Sequence, residues 1–283
     1  MDRVEETKDR ELWDSFVESS PQGTIFSSTK WFRLMDLPYH IYLYYKGNEL
    51  VGGMANFDNL APLTPFQGIL LKDTTGMKDA NKIALSTEVT KALLPYCPNQ
   101  FYNHYTFNDI RPFKWAGWDV DIRYTYVVDL TDLNRLWVNL EKKTRYEVTH
   151  AQKDYLTWVT PDFDTFNVLY SETFKRKGLE RPITRDLIGR LVFAFNAPIF
   201  ATCTLYEAGS MAIMIEDNKR AYYILGASDG GHTSSLTLWD AFRKLGRYGT
   251  KEIDLVGCNS ENVALFKRGF GGRLFPYFGV RRV

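Results

Sequence analysis

From residue 156 onward the chain switches between period-two and helical hydrophobic patterns in an order that few folds accommodate. Leu156–Val159 alternates as a strand, and Asp162 to Lys177 then carries Phe166, Leu169, Tyr170 and Phe174 at helical spacing. Thr184 is placed to cap a further helix running to about Phe195. Three strands follow in succession, Ile199–Tyr206, Ser210–Glu216 and Arg220–Ala227. After a polar loop, Ser228–His232, a helix brings Leu236, Leu238, Trp239, Phe242 and Leu245 to one side. Glu252–Val256 is then a strand, Glu261–Lys267 a short helix and Arg273–Val280 a last strand. The resulting order, β-α-α-β-β-β-α-β-α-β, predicts an α/β fold of mixed sheet covered by helices.

The first half is less regular. Residues 9–18 place Leu12, Trp13, Phe16 and Val17 at helical spacing, and Ser20-Pro21 ends that helix. Thr24–Phe26 reads as a short strand, and Ser28 or Thr29 caps a helix with Trp31, Leu34 and Met35. Ile41–Tyr45 and Leu50–Phe57 form a hairpin about Lys46-Gly47-Asn48. Leu63–Leu71, with Pro65 and Gly68, reads as an irregular edge strand, Asp79–Leu94 as a helix, and Phe101–Thr106 and Tyr124–Asp129 as strands. From Asp132, the residues Leu133, Leu136, Trp137, Leu140, Tyr146, Val148 and Ala151 predict one long helix, 132–153, at the junction of two domains, 1–131 and 132–283. A length of 283 residues favours two cores over one.

Composition excludes several classes. With 45% hydrophobic residues and 15% aromatic, the chain has rings enough for two cores and a lined cleft. A net charge of +1 gives no global field toward DNA or an anionic membrane, although a local basic patch would serve a charged tRNA. Cys97, Cys203 and Cys258 are widely spaced and show no metal-ligand or disulfide pattern, which points to buried thiols in a reducing, cytoplasmic setting. The N-terminal stretch MDRVEETKDRELWDSF lacks the apolar core of a signal peptide, and the apolar run Leu187–Tyr206 is interrupted by Arg190, Asn196 and Pro198, so no membrane span is expected. No P-loop, GxSxG, HxExxH or metal-spaced carboxylate set occurs, which disfavours kinases, serine hydrolases and metalloenzymes.

Several segments carry a family resemblance. Leu136-Trp137, Lys142-Lys143-Thr144-Arg145, Ala151 and Lys153 resemble the basic helical segment of the Fem-type aminoacyltransferases, and Tyr222–Ser228 and Leu238–Ala241 resemble that family's strand and helix around the acyl-donor loop. Ile253–Gly257 followed by Leu265-Phe266-Lys267-Arg268-Gly269-Phe270-Gly271-Gly272 is similar to its closing signature. Ser28–Trp31 and Pro62–Gly68 are weaker matches. The element order is also that of the GNAT acyltransferases. The resemblance implies two tandem GNAT-like domains packed together, and transfer of an aminoacyl or acyl group from an activated donor to an amine. The co-substrate it implies is an aminoacyl-tRNA or an acyl-coenzyme A thioester, with no tightly bound cofactor and no metal. The acceptor it implies is a small-molecule or peptide amine. A coenzyme A-dependent N-acyltransferase and a non-catalytic double-GNAT binding protein remain the alternatives.

The resemblance also places residues. In a GNAT fold the donor lies where adjacent parallel strands splay, and the loop before the next helix offers N–H groups to a pyrophosphate. Here that loop holds Ser228, Gly230, Gly231, Thr233 and Ser234, with Phe270 of the closing segment completing the expected donor-binding set. Asp229 opposes a phosphate there, and the loop lacks the Arg or Gln and spaced glycines usual in coenzyme A enzymes. Lys267 is placed either to hold a donor phosphate or developing oxyanion, or as a solvent-facing cation at a helix end. Asp254 is either a base or amine-positioning group or an ion-paired strand carboxylate. Tyr222 and Tyr223 face opposite sides of their strand and are placed either to donate to the tetrahedral intermediate, with Tyr223 in the expected catalytic set, or to pack. Trp31, Arg145 and Arg176 form the expected acceptor-binding set. His150 and His232 show no partner in the sequence and read as structural.

Overall fold

Short polar side chains fix where five of the ten α-helices of the described residues begin. In the computed structural model, which describes residues 1–57, 61–204 and 208–283, Asp9 Oδ1 accepts from Leu12 N at 3.0 Å to start α1 (Arg10–Ser19). Ser28 Oγ accepts from Trp31 N at 3.2 Å to start α2 (Thr29–Met35). Each such cap satisfies an N–H that the helix itself leaves open.

The chain forms two compact units, Met1–Tyr124 with Phe275–Val283, and Thr125–Leu274. In the first, β1 (Arg3–Thr7), β2 (Tyr39–Lys46), β3 (Glu49–Phe57) and β4 (Leu70–Leu71) form an antiparallel sheet in that order. Strand β1 is a charged edge, and its mostly exposed alternation hid it among polar residues. Helix α3 (Asp79–Leu93) packs Leu85, Val89 and Leu93 into a core with Met54, Phe101, Phe113 and Trp118. Strand β5 (Gln100–Tyr102) pairs antiparallel with Gly279–Arg281 of the last strand, and α4 (Arg111–Trp115) leads into β6 (Asp119–Asp129).

Three expectations for this half change. Thr24–Phe26 is not a strand: Ile25–Ser27 is a 3-10 turn, held by Ser28 Oγ donating to Ile25 O (2.7 Å) and Trp13 Nε1 donating to Ser27 O (2.7 Å). Of the expected edge strand Leu63–Leu71, only Leu70 and Leu71 pair with β3. The strand expected at Phe101–Thr106 is the shorter β5.

From residue 156 onward the expected element order is present throughout. It comprises β7 (Leu156–Thr160), α7 (Phe163–Arg176), α8 (Arg185–Phe195), β8 (Ile199–Cys203), β9 (Ala208–Glu216), β10 (Ala221–Ser228), α9 (Ser234–Arg247), β11 (Glu252–Asp254), α10 (Glu261–Arg268) and β12 (Arg273–Arg281). Tyr206, the expected end of β8, lies outside the described residues. The sheet runs β6-β11-β10-β9-β8-β7, antiparallel except for the β10–β11 pair. Helix α9 covers it with Leu238, Trp239, Phe242 and Leu245, all buried against Val128, Ile253, Leu255 and Phe270. Helices this apolar on one side owe their stability to that burial. No described helix is long and apolar enough to cross a membrane, and all three cysteines are buried.

The expected junction helix 132–153 is two helices, α5 (Leu133–Asn139) and α6 (Lys142–Ala151). Leu140 and Glu141 turn to extended backbone, with ψ of 144° and 147°. Three bonds compensate the break. Glu141 N donates to Gly269 O at 2.9 Å, and Arg145 Nη1 donates to Val138 O and Leu140 O at 2.5 and 2.6 Å. The expected boundary after Thr131 lies inside the second unit, and residues 275–283 belong to the first.

Candidate active site

Strands β10 and β11 pair in parallel for two residue pairs only, Ala221 with Ile253 and Tyr222 with Asp254. Beyond them β10 continues to Ser228 while β11 ends, and a bulge between Tyr223 and Leu225 shifts the register of β10 on β9. A bulge bends its strand and re-aims the side chains beside it. The result is a notch with a cavity of about 300 Å³, lined by Tyr223, Gly226 and Ser228 of β10, Ser234 and Thr237 of α9, and Phe266 of α10 among others.

Tyr222 and Tyr223 divide as their alternation requires. Tyr222 is fully buried and donates its hydroxyl to Asp217 Oδ2 at 2.7 Å. Tyr223 lines the cavity, its ring 5.5 Å from Lys267 Nζ, and burial pushes its hydroxyl up to about 12. Gly226 makes room for it: a Cβ there would stand 1.8 Å from the Tyr223 hydroxyl. Gly226→Ala is therefore expected to displace the Tyr223 side chain, seen as a loss of cavity binding with the fold retained by circular dichroism.

The loop after β10 is tied down by its own chain. The Thr173 hydroxyl bridges Ser228 C=O (2.9 Å) and Ser228 N–H (3.0 Å), and Arg176 Nη2 donates to Ser228 O at 2.5 Å. Arg176, expected on the acceptor side, thus braces the loop after β10, and a Cβ on Gly230 would lie 3.2 Å from its Nε. Asp229 Oδ1 accepts from Gly231 N at 2.7 Å, so an internal carboxylate takes that N–H. Ser234 and Gly231 line the cavity. Thr233 is the α9 N-cap but makes no side-chain cap bond, and its buried Oγ1 has no hydrogen-bond partner among the described residues. The first-turn N–H groups of α9 are thereby left uncapped beside Ser234 and Ser235.

Lys267 and Asp254 do not line the cavity. Lys267 is 7% exposed, and its ammonium donates to Leu255 O, Val256 O and Gly257 O at 2.5, 2.7 and 2.7 Å. All three of its protons are thus spent on the chain that leaves β11. Burial pulls its pKa down to about 8, against the charges of Asp254 and Cys258. It is neither a solvent-facing cation nor free to bind an oxyanion. Asp254 is fully buried; its Oδ1 accepts from Thr125 Oγ1 (2.5 Å) and Val256 N (2.8 Å), while Oδ2 has no hydrogen-bond partner among the described residues. Burial pushes its carboxyl up, opposed by those two hydrogen bonds and the charges of Arg220 and Lys267.

Of the remaining expected residues, Phe270, Arg145 and Trp31 do not line the cavity. Phe270 is fully buried, edge-on to Phe242 and Phe266. Arg145 closes the end of α5, as above. Trp31 is buried in the first unit, its Nε1 donating to Thr64 Oγ1 at 3.0 Å. His150 stacks on Tyr146 at the surface, whereas His232 lines the cavity.

Four polar cavity residues come from elements the sequence did not connect to the site: Glu147 of α6, Thr173 and Lys177 at the end of α7, and Ser210 of β9. Glu147 Oε2 accepts from Ser235 Oγ at 2.7 Å. Thr237 Oγ1 is hydrogen-bonded to Thr202 Oγ1 at 2.6 Å and to Ser210 Oγ at 2.5 Å, a buried hydroxyl chain at the base of the notch.

The mixed sheet, its single parallel pair parting at a bulge, and the uncapped helix after it define the second unit as a GNAT fold. Over the whole chain the protein has the tandem GNAT fold of several solved structures. FemX is similar with a TM-score of 0.70 at 14% identity, covering 97% of this chain and 96% of FemX. L-PGS from Bacillus licheniformis has a TM-score of 0.56 at 12% identity, with 97% and 92% covered. A tandem GNAT protein from the clavulanic acid biosynthesis pathway has 0.54 at 12%, with 98% of each chain covered. No family model and no curated protein matches the sequence.

Proposed function

We propose that the protein is a Fem-like transferase that moves an aminoacyl group from an activated ester, carried by tRNA, onto an amine within the β10–β11 notch. The carrying observation is the notch itself: a cavity at the parting of two parallel strands, beside an uncapped helix N-terminus, with one phenolic hydroxyl on its wall. Its likeness in fold to FemX supports the reading. Aminoacyl transfer to an amine needs alignment, stabilisation of the tetrahedral oxyanion and an exit for the proton. The amine nitrogen forms the new amide bond, the ester C–O bond breaks, and the leaving ribose oxygen takes up a proton.

Within this reading Tyr223 is the oxyanion donor. A phenol held up to about 12 stays protonated at neutral pH and gives a hydrogen bond without giving up its proton. Lys267 and Asp254 act as positioning residues, fixing the chain that leaves β11 where the two strands part. A thioester of coenzyme A is the weaker donor. Asp229 already occupies Gly231 N–H, and Glu147 adds a second carboxylate at the first turn of α9, where a pyrophosphate would be repelled.

The test is transfer itself. Incubating the protein with bulk charged tRNA, or with acetyl-coenzyme A, and a panel of amines should give aminoacylated amines by mass spectrometry only from the tRNA. Product from acetyl-coenzyme A alone would replace the donor, and no product from either would refute the transferase. Tyr223→Phe is expected to lower kcat at least about tenfold with KM little changed.

A further inference from the structure

Glu147 is the only carboxylate lining the cavity among the described residues, and neither the donor loop nor the packing of α6 accounts for it. Its side chain is 19% exposed. One oxygen, Oε2, is fixed by the buried Ser235 hydroxyl at 2.7 Å. The other, Oε1, has as its nearest cation Lys143 Nζ at 3.9 Å, on a side chain that is 84% exposed. Such a long, solvated pair holds a carboxylate weakly. A half-buried, orientated carboxylate with one oxygen left for a ligand favours a cation.

The rest of the wall suits the same guest. Tyr223 and Phe266 contribute aromatic surface, which attracts an ammonium group. At the base, Ser210 and Thr237 are joined with Thr202 in a hydroxyl chain, whose oxygens keep acceptor lone pairs. Lys177, the one lysine lining the cavity among the described residues, lies at the end of α7, and His232 lies in the loop after β10.

We infer that Glu147 is a specificity-determining residue that holds a substrate's primary ammonium group in the notch through Oε1, while Ser235 keeps Oε2 in place. The inference rests on the transferase reading and adds to it: the ammonium belongs either to the aminoacyl donor or to the acceptor amine before it loses its proton. In the second case Glu147 Oε1 also lies where that proton would be taken up as the nitrogen attacks.

Two probe pairs separate these sources. Puromycin, an aminoacyl nucleoside with a free α-amino group, is compared with N-acetylpuromycin. Benzylamine is compared with benzyl alcohol. Ligand-observed NMR titration at pH 7 should show the charged member of at least one pair binding about tenfold tighter than its neutral partner. Preference in the first pair assigns the donor ammonium, and in the second the acceptor. Glu147→Gln keeps an oxygen for Ser235 and should abolish the preference, while Glu147→Asp should retain part of it. Equal binding of both members by the wild-type protein, or an undiminished preference in Glu147→Gln, overturns the inference. Transfer activity without any ammonium preference would refute Glu147's role alone. The preference without transfer would instead refute the transferase.

Discussion

Lys267→Ala is expected to destabilise the protein by about 3–5 kcal/mol, far more than loss of a surface lysine. The ammonium satisfies the carbonyls of Leu255, Val256 and Gly257 at once, and these sit on chain that leaves the sheet. Val256 and Gly257 both have positive φ, 48° and 66°, and for β-branched Val256 that conformation needs outside support. Alanine leaves three acceptors facing a void and removes one of the two cations, the other being Arg220, that hold the buried Asp254 carboxyl down. Urea unfolding followed by tryptophan fluorescence measures the difference. Wild-type stability combined with lost turnover would mean that Lys267 acts on substrate after all. The pH dependence gives an independent check. With a folded pKa near 8, against 10.5 when unfolded, the folded chain sheds this proton first. The lysine's contribution to stability therefore rises between pH 8 and 10, by at most about 1.4 kcal/mol per pH unit. Lys267→Met should remove that rise. Above pH 10 the tyrosines held up to about 12, Tyr44, Tyr170 and Tyr223, act in the opposite direction.

The second unit was legible because its cues agree locally. Strand alternation, helical spacing and caps such as Thr184 change together at each boundary, and Thr184 Oγ1 does accept from Leu187 N. The α5–α6 break was not legible, because apolar residues continue at helical spacing through Leu140, Val148 and Ala151 and the cause lies in Gly269, far along the chain. In the site, the loop after β10 and Tyr223 could be located from one strand and one helix. Glu147 could not: four residues from Lys143, it reads as half of an exposed helical ion pair. Thr173, Ser210 and Thr237 each look like an ordinary polar position, and only the sheet brings their hydroxyls to one notch. Motif likeness also pointed to Phe270, Trp31 and Arg145, none of which lines the cavity. Arg176, expected on the acceptor side, reaches the loop after β10 instead, and nothing local shows its guanidinium reaching Ser228.

Gly271→Ala is expected to cost about 2–5 kcal/mol, and the reason gives the closing Phe-Lys-Arg-Gly-Phe-Gly-Gly segment a physical role. Gly271 has φ of 69°, and a Cβ on it would stand 2.7 Å from Asn139 O and 3.0 Å from Asn139 C. Both are backbone atoms at the end of α5, so no side-chain rotation relieves the clash. Two residues earlier, Gly269 O receives Glu141 N, and the Phe270 ring between them is anchored on Phe242 and Phe266. The segment thus grips the α5–α6 break and fixes where α6 starts. Gly249→Ala is the control: its φ is 100°, but nothing lies within 4 Å of the added Cβ, so only the backbone term of about 1–2 kcal/mol applies. Thermal unfolding of the two variants separates conformational strain from steric exclusion. If Gly271→Ala loses no more than Gly249→Ala, the close approach to Asn139 does not matter. If it loses more, the segment sets the start of α6, and with it the helix that carries Glu147 into the notch. The family-like signature would then act on the site through the helix it seats, without touching substrate.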